Sequence, residues 1–139
     1  MKKFILLGLL AAAVIAGITG YRMWNKPHQN MQTADADIKV DATALYSEYE
    51  TGDEAANAKY LGKIVEVSGT VRETTTDEGG TVKVMLDSGS EMAGIICELD
   101  PLSEHKRTTF QAGEQVRLKG KCDGFLMDVV LTRCVEVTK

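Results

Sequence analysis

The chain has 139 residues, 44% of them hydrophobic, with 16 Lys and Arg against 20 Asp and Glu. That length suits one small domain with additions, and no period of 20–50 residues repeats, which excludes solenoids and propellers. Lys2, Lys3, Arg22 and Lys26 precede residue 35 and all 20 acidic residues follow it, so the remaining 12 Lys and Arg leave the rest of the chain at −8; a field of that sign repels phosphate backbones.

Residues 4–21 run for 18 positions without a charge, FILLGLLAAAVIAGITGY, after Met1-Lys2-Lys3. As a helix the run spans about 27 Å, close to the thickness of a bilayer core. Tyr21 and Trp24 follow at the depth where amphipathic aromatics settle, and Arg22 and Lys26 close the segment. A retained signal anchor is the preferred reading of residues 1–24. A cleaved leader would want its small residues after the apolar run, whereas Ala11, Ala13 and Ala16 sit inside it. Either reading places the remainder outside the cytoplasm, in the cell envelope or periplasm. Residues 25–37 are polar and aperiodic and read as a tether.

Asp41 suits the N-cap of a short helix over 42–50, with Ala42, Leu45 and Tyr49 on one face. Gly52-Asp53 breaks it, and a further turn or two runs through Ala55, Ala56 and Tyr60 to Leu61. Gly62 sits where a helix end wants a left-handed residue. From Lys63 the period becomes two. Strands are predicted at 63–72, 81–87 and 93–99, separated by the turn signals Asp77-Glu78-Gly79-Gly80 and Asp87-Ser88-Gly89-Ser90. Residues 100–112 interrupt the alternation with Pro101 and a charged cluster. A fourth strand carries Val116, Leu118 and Gly120. Asp123-Gly124 is read as the turn into a fifth strand, which ends near Val137.

Three strands, an interruption and two more strands is the order of an OB-fold barrel, an all-β five-stranded architecture. The short helices and the N-terminal transmembrane helix precede it. Residues 38–139 are assigned to this domain. Gly69 and Gly120 fall inside strands, where a small barrel needs a sharp bend or bulge.

The three cysteines, Cys97, Cys122 and Cys134, are candidate structural or disulfide residues. Alternation points Cys97 and Cys122 inward and Cys134 outward, unless a bulge resets the register. Cys122–Cys134 is a sequence-near pairing, and Cys97–Cys134 is reachable because the third and fifth strands of an OB barrel are neighbours. Three small buried thiols with no redox role is the third reading. No catalytic residue, cofactor or metal ligand is assigned. His28 and His105 are far apart in sequence, and the carboxylates fall mostly at turns and on outward strand positions. Lys83, Arg117, Lys119 and Lys121 are the candidate basic binding face. Strands two and three contain no aromatic residue on which bases would stack.

Residues 58–71, AKYLGKIVEVSGTV, resemble the opening motif of the tRNA_anti-like family. Ile96-Cys97 resembles its third strand. Residues 113–124, GEQVRLKGKCDG, and 128–134, DVVLTRC, resemble its fourth and closing strands. The resemblance covers about residues 41–137. It implies an OB fold in a bacterial envelope protein, often a lipoprotein, and little about activity; this chain lacks the lipid-bearing Cys of that form. The expected function is a non-enzymatic, membrane-anchored binding module for an unidentified protein or small ligand. The alternative is a single-stranded nucleic-acid or tRNA-binding protein, which the acidic domain disfavours. The strand-two and strand-three face, with loops at 73–80 and 121–126, is the expected surface.

Overall fold

A computed structural model describes residues 1–25 and 29–138; Lys26 and His28, named above, lie outside the described residues. The described residues form α1 (Lys2–Trp24), β1 (Ile38–Asp41), α2 (Ala42–Thr51), α3 (Asp53–Tyr60), β2 (Ile64–Thr76), β3 (Val82–Asp87), β4 (Gly94–Leu99), β5 (Gln115–Phe125) and β6 (Val129–Glu136). The helix α1 is long and apolar enough to cross a membrane, and none of it is buried against the barrel.

Strands β2, β3, β4, β6 and β5 pair in that order, and β2 pairs again with β5, which closes a five-stranded barrel. The β4–β6 pair is parallel, and the other barrel pairs are antiparallel. This is the OB arrangement expected from the strand order. One strand lies outside that expectation. The short β1 adds to the barrel parallel to β2, with Ile38 opposite Val65 and Asp41 opposite Ser68. Four residues with one acidic end carry too little alternation to read as a strand.

Inward positions fill the barrel with Val65, Val67, Val71, Val84, Leu86, Ile95, Leu118 and Leu131, all essentially fully buried. Leu45 and Tyr49 of α2 and Ala56 and Tyr60 of α3 belong to the same cluster. The predicted helix start holds: the Thr43 N–H donates to the Asp41 carboxylate at 3.0 Å. Gly69 lets α2 approach the wall, because a Cβ there would lie 2.8 Å from that of Ala42. Tyr49 stacks on Phe125 with ring centroids 5.7 Å apart.

Two bulges decide where side chains point. On β6, Lys119 pairs with Val135 but Lys121 with Thr132, so Arg133 and Cys134 together oppose Gly120. Arg133 adopts φ 54°, the left-handed region that non-glycine residues rarely occupy. This is the bulge that resets the register: Cys134 is buried rather than outward, correcting the simple alternation. Gly120 is its counterpart, since a Cβ there would fall on the Cys134 sulfur and lie 2.8 Å from the Thr132 carbonyl oxygen. On β5, Cys122 pairs with Leu131 and Gly124 with Val130, leaving Asp123 as the extra residue. Asp123-Gly124 is therefore a bulge inside β5 and not the predicted turn. The chain reverses at Leu126–Asp128 instead, where the Leu126 N–H donates to the Asp128 carbonyl at 3.3 Å. The end of the first predicted strand also moves. Glu73–Thr76, expected in a loop, pairs with Met85–Val82, because three consecutive threonines suit an extended edge without showing hydrophobic alternation.

Before β1 the chain is fastened to the barrel. Met31, 2% exposed, packs with Ile64 and Val135. Lys119 Nζ donates to the Ala34 carbonyl at 2.5 Å and the Gln32 carbonyl at 3.5 Å. Arg133 Nη2 donates to the Gln29 carbonyl at 2.7 Å.

Gly120→Ala is expected to destabilise the full chain by about 1–3 kcal/mol through overpacking against Cys134 and Thr132. Urea unfolding followed by circular dichroism measures it, and an unchanged midpoint would contradict the close approach. Met31→Ala, which empties the small outer cluster, is expected to cost about 2 kcal/mol in the same assay.

Candidate functional site

The outer face of β3 and β4 is where an OB barrel offers its strands to a ligand, and here β6 extends it beside β4. Its centre is apolar. Met85 pairs with Ile96, and Ile96 pairs with Val130, so three half-buried aliphatic side chains form a row across three strands. Lys83 stands at one end of the row, across from Glu98, with Nζ 3.1 Å from Glu98 Oε1 and 4.0 Å from Asp77.

At the other end two loops meet. The Gly94 N–H donates to Asp128 Oδ1 at 2.7 Å, which ties the 88–93 loop to the β5–β6 hairpin. Arg72 clamps that loop from below, donating to the carbonyls of Ser90 at 2.5 Å and Ala93 at 3.1 Å while Nη2 holds Asp87 at 2.8 Å. The Ser88 hydroxyl donates to the Ala93 carbonyl at 2.6 Å. These fixed loops present Met92, 91% exposed, Leu126, 91% exposed, and Met127, 76% exposed, at the same end of the barrel. Apolar side chains concentrated on rigid loops mark an interaction site more strongly than scattered ones do. Unbranched, polarisable methionines adapt to varied partner shapes.

The four predicted basic residues do not form one surface. Lys83 lies on β3, whereas Arg117, Lys119 and Lys121 lie on β5, which neighbours β2 and β6. Arg117 reaches Glu66 at 3.5 Å. Lys119 is buried, its ammonium committed to backbone carbonyls of the segment before β1. Lys121 is exposed, between Ile64 and Thr132 of the flanking strands. Arg107, at the interruption, is held by Glu114 and by Glu136 at 2.7 Å. Most of the cations near the barrel are thus already neutralised by carboxylates, which weakens any phosphate groove.

The three cysteines are buried and free. Leu131 pairs with Cys97 on one side and Cys122 on the other, while Cys134 pairs with Leu99. Burial first, and the neighbouring Cys97 thiol second, push the Cys134 thiol well above its ordinary pKa. A thiol so held is a poor nucleophile, because the thiolate is the reactive form. The Tyr49 hydroxyl lies 3.4 Å from the Cys122 sulfur, and burial raises its pKa too.

Sequence reading missed Met92 and Met127, and included Leu126 only as the last residue of the expected 121–126 loop. The signal was present: three large apolar residues stand in segments that otherwise read as turns. Placing the turn at Asp123-Gly124 put Met127 in the fifth strand.

The tRNA_anti-like family model matches residues 1–136. No curated protein matches the chain. Among solved structures, the chain is similar to a "putative nucleic acid-binding lipoprotein" from Klebsiella pneumoniae. The two share 14% identity and a TM-score of 0.57, over 73% of this chain and 92% of that one. At that identity the likeness speaks for the fold alone.

Asp87 supports the loop clamp, and the Gly89 N–H, followed by Arg72, holds its pKa below the usual carboxylate value. Glu114 is lowered by the Gln111 N–H and then Arg107. Because the folded-state values lie below the unfolded ones, the unfolded chain binds more protons in that window, and stability rises with pH across it. The contribution is fully present above about pH 4, the unfolded carboxylate range, and is lost as pH falls through the depressed folded values. Asp87→Asn is expected to flatten this acid limb, read as the urea midpoint between about pH 2 and pH 6; an unchanged slope would remove Asp87 from the clamp.

Proposed function

The chain belongs to the tRNA_anti-like family, and from that premise we propose that it is a membrane-anchored, non-enzymatic OB-fold binding module. Its barrel lies outside the cytoplasm, and its partner is a protein or peptide with an apolar surface. The observation that carries the choice of partner is the end formed by Met92, Leu126 and Met127, continued by the Met85–Ile96–Val130 row. Burial of such side chains is worth roughly 25 cal/mol per Å2 of apolar area, and preformed loops reduce the ordering cost of binding. The anchor is supported by the length and apolarity of α1, with Tyr21 and Trp24 at its far end. The non-enzymatic reading rests on the family, whose OB fold is a binding architecture.

The nucleic-acid reading draws on the family's name and on that of the Klebsiella neighbour. On this chain it meets the −8 field, the paired cations and strands β3 and β4 without an aromatic residue.

The test uses the full chain in nanodiscs, with peptides selected from a displayed library and, separately, single-stranded DNA, RNA and tRNA. Selected peptides are expected to lose at least about tenfold in affinity on the paired change Leu126→Ser and Met127→Ser, the equivalent of about 1.4 kcal/mol. Nucleic acids are expected not to bind even at low salt. Nucleic-acid binding that weakens steeply with salt and ignores the two substitutions would overturn the reading.

A further inference from the structure

The polar stretch before the barrel has a consequence for how the domain sits. From Gln29 onward it is bonded to the barrel, not free. Arg133 holds the Gln29 carbonyl, Lys119 the Ala34 carbonyl, and Met31 is buried with Ile64 and Val135. The Gln32 side-chain amide donates to the Glu104 carbonyl. At the end of the stretch, Asp37 accepts the Ile64 N–H at 2.9 Å and returns its own N–H to the Ile64 carbonyl at 2.8 Å. The chain between the end of α1 and the first fastened residue is thus only the step from Asn25 to Gln29. Four residues span at most about 14 Å fully extended.

Gln29 is fastened at one particular end of the barrel. It lines a cavity of about 360 Å3 together with Asp100, Leu102, Ser103, Glu104 and Arg133. Leu102, in the turn after β4, is 68% exposed there. The opposite end carries Leu126 and Met127. Strand β6 begins at Val129 beside that hairpin and reaches Arg133 four residues later, a rise of about 13 Å.

We propose that the turn at 100–106, with Leu102 at its tip, rests against the phospholipid headgroup layer of the bilayer that α1 spans, and that the Met92–Leu126–Met127 end points away from it. This rests on the membrane-spanning reading of α1. The strap holds a domain of net charge −8 close to the membrane without needing anionic lipid, so zwitterionic headgroups suffice. It also sets orientation: the apolar end is presented to the aqueous compartment.

The full chain is reconstituted in phosphatidylcholine vesicles carrying a nitroxide on a fraction of the headgroups. Trp24→Phe removes the single tryptophan, and Leu102→Trp or Leu126→Trp, both at exposed positions, supplies a new one. Quenching at position 102 is expected to exceed that at 126 about threefold or more. Inserting about a dozen Gly and Ser residues after Asn25 is expected to bring the two signals together. Flotation of the same vesicles separates the two claims. A chain that does not float overturns the spanning reading and this orientation with it. A chain that floats but is quenched equally at both positions, or more at 126, overturns the orientation alone. Quenching at 102 that survives the insertion overturns the strap as its cause.

Discussion

The barrel closes at a point where two strands come too near for a side chain between them. Gly120 of β5 faces the bulge of β6, and the space a methyl group would need is taken by the Cys134 sulfur and the Thr132 carbonyl. The inserted residue on β6 turns Cys134 into the core and puts Arg133 into a left-handed conformation. That conformation aims the Arg133 guanidinium at Gln29, with Asp100 3.7 Å away. One register shift therefore completes the core and fastens the segment that leads from α1. Strain at such a residue persists only when its surroundings over-determine it, and here the core on one side and the strap on the other do so.

The same economy of position applies to charge. From residue 35 onward 20 carboxylates stand against 12 Lys and Arg, and several of those cations are used internally. Arg72 fixes a loop, Arg107 bridges Glu114 and Glu136, and Lys119 binds the strap. At the β3–β4–β6 face the Met85–Ile96–Val130 row runs from the paired Lys83 and Glu98 to the exposed Met92, Leu126 and Met127 of the loops. An OB barrel can hold many kinds of ligand, so the fold itself does not choose among them. Side chains choose, and on the proposed reading they select an apolar partner over a phosphate backbone.

Much of the fold was legible in sequence because the physics was local. Asp41 caps its helix by accepting from an N–H only two residues away, and Ala42, Leu45 and Tyr49 bury at helical spacing. Strict alternation marked β3 and β4, and Gly62 adopts the left-handed conformation expected at a helix end. What escaped depends on non-local pairing. The strand β1 exists because β2 offers it an edge. The direction of Cys134 depends on a bulge in β6 that appears only in its pairing with β5. The basic residues looked like one candidate surface, but β3 and β5 are not neighbours in the sheet. Asp123-Gly124 reads as a hairpin turn in isolation; in the barrel the same pair is absorbed as a bulge, which moves Leu126 and Met127 to the tip. That shift is why the exposed apolar end could not be read from alternation alone.

The most direct test is methyl NMR of the full chain in nanodiscs, with carbon-13 at the methyl groups of its six methionines. Titration with an apolar peptide and with a single-stranded oligonucleotide would be followed separately. A binding module of this kind predicts that the peptide shifts the Met92, Met127 and Met85 methyls while Met31, the strap residue buried against Ile64 and Val135, stays still, and that the oligonucleotide moves none of them. Binding of the oligonucleotide with those three methyls perturbed, or peptide binding that leaves all three unmoved, would contradict it.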